Sequence, residues 1–136
     1  MNHQETKEKL IEQIVHHFSD ELISIFLFGS FETEHETKSS DIDIAILCKK
    51  PIDKLKLWDV TQELAIAANK DIDLVDLRSA STVLQMQVIN SNNRIYTADK
   101  MTSEKFEDFV FSSYIRFNES RKEILDDIKS RGSVYG

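Results

Sequence analysis

Leu22-Ile23-Ser24-Ile25-Phe26-Leu27-Phe28-Gly29-Ser30, followed after ten further residues by Asp41-Ile42-Asp43, is the stretch that decides how this chain is read. Apart from Ser24, residues 22–28 are β-branched, aliphatic or aromatic, which predicts a buried strand, and Gly29 stops it. A glycine and a serine at a strand end leave backbone amides and a hydroxyl free to hold a phosphate. Asp41 and Asp43 lie two apart on the next predicted strand, 41–47, so their carboxylates point to one face. Together these residues describe a site for a metal-bound nucleoside triphosphate.

Asp43 stands inside an otherwise apolar strand, where an unpaired charge is expensive. A divalent cation relieves that cost, and Mg²⁺ prefers carboxylate, phosphate and water oxygens. Asp73 repeats the anomaly within Ile72-Asp73-Leu74-Val75, a third predicted strand spanning 71–77 that is expected to be buried. If the two strands are neighbours, Asp73 joins Asp41 and Asp43 in a three-carboxylate cluster. Asp71 shares its parity but stands at the strand's entrance as a solvated end, and Asp76 has the opposite parity. Three carboxylates suit two-metal phosphoryl or nucleotidyl transfer, in which one ion activates the attacking hydroxyl and the other neutralises the leaving group. Gly29 permits the close backbone approach such binding needs, and Ser30 can donate to a phosphate oxygen at a helix start. Each feature alone has a plainer reading as a strand end or a helix cap; their joint spacing carries the inference.

Around this centre, Leu10, Ile11, Ile14, Val15 and Phe18 recur at helical spacing over 5–18. Asp53 is a helix cap for 53–69, with Leu55, Trp58, Leu64, Ile66 and Ala67 as inward candidates. Ser79 or Ser81 opens a helix through Ile89, and 94–97 forms a short fourth strand. A long helix over about 101–129 places Phe106, Phe109, Val110, Tyr114, Phe117, Ile124, Leu125 and Ile128 on one side. That stripe is rich enough to pack on the sheet and also to serve a partner helix, while Glu119, Glu123, Asp126 and Asp127 form a solvated face. Strands and helices interleave without a linker or repeat, so the expectation is an α/β domain with a small mixed sheet flanked by helices. The residues divide into a unit over 1–100 and a C-terminal helical tail over 101–136, packed on the same domain.

With 136 residues and 40% apolar content the chain suits one core. Its net charge of −7 argues against direct nucleic-acid binding, which needs clustered Lys and Arg. Cys48 is the sole cysteine, so no internal disulfide forms, and a reducing cytoplasm with a packed, inert thiol is expected. The run 22–28 is far too short to span a bilayer, and Met1-Asn2-His3-Gln4-Glu5 lacks the order of a signal peptide. His3, His16, His17 and His35 show no zinc spacing with one another or with Cys48, and His16-His17 reads as helix surface.

Phe28-Gly29-Ser30, Ser40-Asp41-Ile42-Asp43-Ile44-Ala45 and Ile72-Asp73-Leu74-Val75-Asp76-Leu77 resemble the minimal nucleotidyltransferase (MNT) domain of the DNA polymerase β superfamily. Ile89-Asn90-Ser91-Asn92-Asn93-Arg94-Ile95-Tyr96 is similar to that family's sheet-closing helix, turn and strand, and the tail resembles that of MNT antitoxins. The resemblance implies a polymerase-β-like fold and Mg²⁺-dependent transfer of AMP from ATP to a tyrosine of a partner HEPN ribonuclease toxin, silencing it. It implies that Gly29 and Ser30 hold the triphosphate, that Asp41 and Asp43 bind both magnesium ions, and that Asp73 is the third carboxylate, helping to activate the acceptor hydroxyl. Where many relatives carry an arginine soon after Gly-Ser, this chain has the acidic Phe31-Glu32-Thr33-Glu34-His35-Glu36, with Lys38 as the nearest replacement charge. The alternatives are an antitoxin that acts by binding without catalysis, and a nucleotidyltransferase for small molecules of the aminoglycoside type.

Overall fold

The computed structural model describes residues 3–29 and 41–135, with side chains described as far as 122. Its strands are β1 (Leu22–Phe28), β2 (Ile42–Cys48), β3 (Ile72–Asp76) and β4 (Arg94–Thr97). Its α-helices are α1 (His3–Phe18), α2 (Lys54–Ala68), α3 (Thr82–Asn90) and α4 (Lys100–Tyr135). The strands form one sheet in the order β3-β2-β1-β4. β1 runs antiparallel to β2 and β4, whereas β2 and β3 are parallel, so the sheet is mixed as expected.

Both central strands are apolar on both faces because helices cover each side. On one side, Leu10, Ile14 and Phe18 of α1 and Val60 and Leu64 of α2 meet Ile25, Leu27, Ile42, Ile44 and Ile46. On the other, Val88 of α3 and the partly buried Phe106 of α4 pack on Phe26, Phe28, Ala45 and Leu47. Ser24, the polar break in β1, is fully buried and its hydroxyl accepts a 3.0 Å hydrogen bond from Ser103 Oγ of α4. Arg94 Nη1 donates to the same Ser103 Oγ at 3.3 Å and to Glu107 Oε2 at 2.6 Å, which ties α4 to β4.

Local caps follow the sequence. The Asp53 carboxylate accepts from Lys56 N, and Ser81, not Ser79, caps α3 by accepting from Leu84 N. Ser79 Oγ instead donates to Asp76 Oδ2, which also accepts from Ile52 N, binding the loop after β2 to the end of β3. Cys48 is buried, and burial, reinforced by Asp76 and Glu21, pushes its thiol up to about 12, so it is inert at neutral pH. Among the described residues no helix is long and apolar enough to cross a membrane.

Four expectations require correction. Trp58, Leu55 and Ile66 are not inward: they are 63%, 75% and 81% exposed. α2 is apolar around much of its circumference, and its packing on α1 selects the Val60–Leu64 side instead. Asp73 is exposed near the start of β3, the sheet's edge strand, before the point where Val75 on the same side packs into the core. On α4, Val110 is fully buried, but Phe109 and Phe117 are exposed, so the stripe outlasts the surface it packs on. His17 is also more than helix surface, since it is partly buried against the Glu63 carboxylate of α2.

Candidate active site

β1 and β2 meet at the end of the sheet where Phe28 pairs with Asp43. The strand end is pinned from the other side: Leu27 N donates to Asn93 O at 3.0 Å, and Ser91 Oγ donates to Leu27 O at 3.1 Å. Gly29 then turns the chain with φ +80, a left-handed conformation that favours glycine. A Cβ on Gly29 would lie 2.0 Å from Asp43 Oδ2 and 3.0 Å from its Cγ. The Asp43 carboxylate thus rests directly over the bare Gly29 backbone, and no other residue fits there.

The parallel register sets Asp43 beside Asp73, and Ile42 beside Ile72. With period-two alternation, Asp43 and Asp73 project to the α3/α4 side of the sheet, past the end of the layer containing Ala45 and Leu47. Asp41 immediately precedes β2 and is exposed. The Asp43 carboxyl is raised above its ordinary value, first by burial, then by the negative charge of Asp73 and then by that of Asp41. The Asp43 carboxyl therefore feels Asp73 across the adjacent strand and Asp41 along its own segment. Asp71 is exposed at the entrance to β3, where its carbonyl accepts from Ile42 N at 2.9 Å, and Asp76 points to the opposite face. Ser30 and the acidic segment 31–36 with Lys38 lie outside the described residues.

Among the described residues no group of three or more His, Cys, Asp or Glu side chains is gathered closely enough to hold a metal ion. Asp41, Asp43 and Asp73 instead offer separate carboxylate oxygens at the ends of two adjacent strands, the donor chemistry that a hard divalent cation takes together with waters and substrate oxygens. Self-repulsion among them and the bare approach at Gly29 both fit such a cation bridging to a phosphate. The sequence pointed to Gly29 as a phosphate contact; its intimate contact with Asp43 was not foreseen. The glycine that ends the apolar run and the two-residue-apart aspartates are its only local signals in the sequence. The pin formed by Ser91 and Asn93 was signalled only by the polar turn between α3 and β4.

The polymerase β nucleotidyltransferase family matches residues 8–101. The chain is 36% identical over 125 residues to the protein adenylyltransferase MntA of Shewanella oneidensis, spanning 92% of this chain and 89% of MntA. A solved complex of a tri-AMPylated HEPN toxin with an MNT antitoxin from Shewanella oneidensis contains a chain 36% identical to this one, with a TM-score of 0.76 over 92% of this chain and 97% of that one. A toxin–antitoxin structure with AMP-PNP gives a TM-score of 0.77 at 36% identity over 89% and 97% of the two chains. Spectinomycin adenyltransferase of Enterococcus, at 16% identity and a TM-score of 0.55, shares the fold. With the Gly29–Asp43 turn and the paired strands beneath it, these likenesses establish that the chain belongs to the polymerase β nucleotidyltransferase family.

Proposed function

We propose that this protein is an antitoxin that transfers AMP from ATP to a tyrosine hydroxyl of a partner HEPN ribonuclease toxin and thereby silences it. The observation that carries the reading is the Asp43 carboxylate lying over Gly29 and beside Asp73, in a chain 36% identical to a protein adenylyltransferase. In the transfer, the phenolic oxygen forms a bond to the α-phosphorus of ATP and the α–β bridging bond breaks. Pyrophosphate leaves, and the phenolic proton passes to a carboxylate or to solvent.

Asp41 and Asp43 are assigned to hold two Mg²⁺ ions, and Asp73 to complete the set and receive or orient the acceptor hydroxyl. Bound magnesium supplies charge neutralisation for the triphosphate and a lowered pKa for the attacking hydroxyl. Gly29, and Ser30 beyond it, bind the triphosphate, since a bare backbone turn offers N–H groups that a side chain would obstruct. The raised Asp43 carboxyl supports this assignment: a group destabilised by its neighbours gains most from a cation. Residues 1–100 are assigned to the nucleotidyltransferase unit and 101–136 to a helical tail on the same domain, and burial of Ser103 and Val110 supports that packing. A cytoplasmic setting fits the buried, unreactive Cys48 and the absence of a membrane-crossing helix among the described residues.

The test is intact-mass analysis of a HEPN ribonuclease toxin after incubation with this protein, ATP and Mg²⁺. The expected result is a gain of one or more AMP units on tyrosine, abolished by Asp41→Asn with Asp43→Asn. Modification that persisted in the double variant would refute the site. Neutralisation by an inactive variant at equal stoichiometry would instead make binding the principal mechanism.

A further inference from the structure

We infer that the face of α4 bearing Phe111, Tyr114, Ile115 and Phe117 is where the protein substrate docks, an inference that rests on the functional reading above. Val110, Tyr114 and Phe117 stand at i, i+4 and i+7 and so form one stripe along the helix. Its first member is 0% exposed against the body, while Phe117 is 48% exposed. Phe111 and Ile115, also i and i+4, broaden the stripe and are 51% and 40% exposed. The side of α4 that packs on the sheet therefore continues as an aromatic surface after the sheet ends.

The direction of α4 gives this surface its occupant. Near its start Ser103 bonds Ser24, early in β1. One turn later Glu107 bonds Arg94, which pairs with Phe26, and Glu104 and Glu107 line a cleft with Asn92 and Asn93 beside the end of β1. The helix thus advances along β1 toward Gly29, on the sheet face to which Asp43 and Asp73 project. Its exposed stripe emerges at the end of the molecule that carries the carboxylates, so one protein can cover the stripe and present a tyrosine to them.

A second copy fits less well. Phe111, Ile115 and Phe117, about half exposed, with the more buried Tyr114, offer roughly 300 Å², against about 800 Å² per partner in a stable interface. The stripe is too small to hold a self-dimer alone, and a copy seated on it would crowd the acceptor's approach. Combined with contacts at the carboxylate edge, it suffices for a substrate protein that brings an apolar helix.

The experiment compares Ile115→Glu with Phe117→Glu, as a double variant, against Phe109→Glu, using the same HEPN toxin as probe and AMP transfer as readout. Phe109 is 63% exposed and lies off this stripe, about 120° around the helix from Ile115 and about 80° from Phe117, and controls for charge and folding. The expected result is a KM for the HEPN protein raised at least tenfold in the double variant, with kcat at saturation and KM for ATP within twofold of the unaltered chain. Phe109→Glu should leave all three unchanged. Equal KM values for the double variant and the unaltered chain overturn the docking surface while leaving the functional reading intact. A double variant that converts a dimer of the unaltered chain to monomer, with its KM for the HEPN protein unchanged, also overturns it, in favour of a second copy. Transfer that survives Asp43→Asn in an otherwise unaltered chain overturns the functional reading instead.

Discussion

At the residue scale, Gly29 and Asp43 act as one unit, because the space above the glycine is already filled by the carboxylate. Gly29→Ala meets two penalties: a left-handed backbone, at about 1–2 kcal/mol, and a Cβ 2.0 Å from Asp43 Oδ2 that must displace the carboxylate. Since a misplacement of about 1 Å can reduce rate about a hundredfold, AMP transfer by Gly29→Ala should fall at least that far, while the melting temperature drops by only several degrees. Near-normal turnover would show that the carboxylate is free to move. Asp43→Asn separates the same two quantities in the opposite sense. It removes a charge opposed by burial and by two neighbouring aspartates, so the metal-free variant should melt at or above the temperature of the unaltered chain while transfer is lost. A lower melting temperature in EDTA would mean that the carboxylate stabilises the fold. The pairing of Asp41 with Asp43 and the parity of Asp73 and Asp76 were legible in the sequence because strand alternation is a local rule. The contact of Gly29 with Asp43 was not, since it depends on how two strands separated by a thirteen-residue interval come together.

At the element scale, β1 to β4 follow the sequence because each apolar run is short, bounded and rich in strand formers. α2 shows where such reading fails: with Leu55, Trp58 and Ile66 apolar as well as Val60 and Leu64, its pattern does not choose a face, and packing on α1 does. Leu64→Ala should cost about 2–5 kcal/mol, whereas Trp58→Ala and Ile66→Ala should each fall within about 0.5 kcal/mol of the unaltered chain; urea melts of the three variants decide it. α4 offers a second check through its cap. Asp99 accepts hydrogen bonds from Thr102 Oγ1 at 2.7 Å and Thr102 N at 3.1 Å, which lower its pKa. A lowered carboxyl contributes stability that is present above the unfolded-state value and lost as pH falls through the folded-state value. Asp99→Ala should therefore destabilise the helix start at neutral pH, and the difference from the unaltered chain should vanish at acid pH below both values. A difference that persisted undiminished there would remove the charged cap as its source.

Across the whole molecule, two helical layers clamp a four-stranded sheet, and Asp41, Asp43 and Asp73 stand at one end of its adjacent strands β2 and β3. The fold class was legible because interleaved strands and helices admit few compact arrangements; the course of α4 past the site was not, since it depends on contacts such as Ser103 with Ser24, far apart in the chain. The chain as a whole carries a net charge of −7, and its densest carboxylate row faces the place proposed for a triphosphate. Two anionic surfaces repel unless cations stand between them, so nucleotide affinity should be conditional on magnesium. ATP with Mg²⁺ at about a hundred times its Kd should stabilise the protein by about 2.7 kcal/mol, visible as a rise in melting temperature. ATP with EDTA should give no rise at low ionic strength. Added salt should not restore it, because screening weakens repulsion without supplying a bridging ion. In Asp41→Asn with Asp43→Asn the repulsion is relieved but the ligands are lost, so the magnesium-dependent part of the shift should disappear even if weak metal-free binding emerges. An equal shift with and without magnesium in the unaltered chain would place the triphosphate away from the carboxylate row and detach the site from the proposed chemistry.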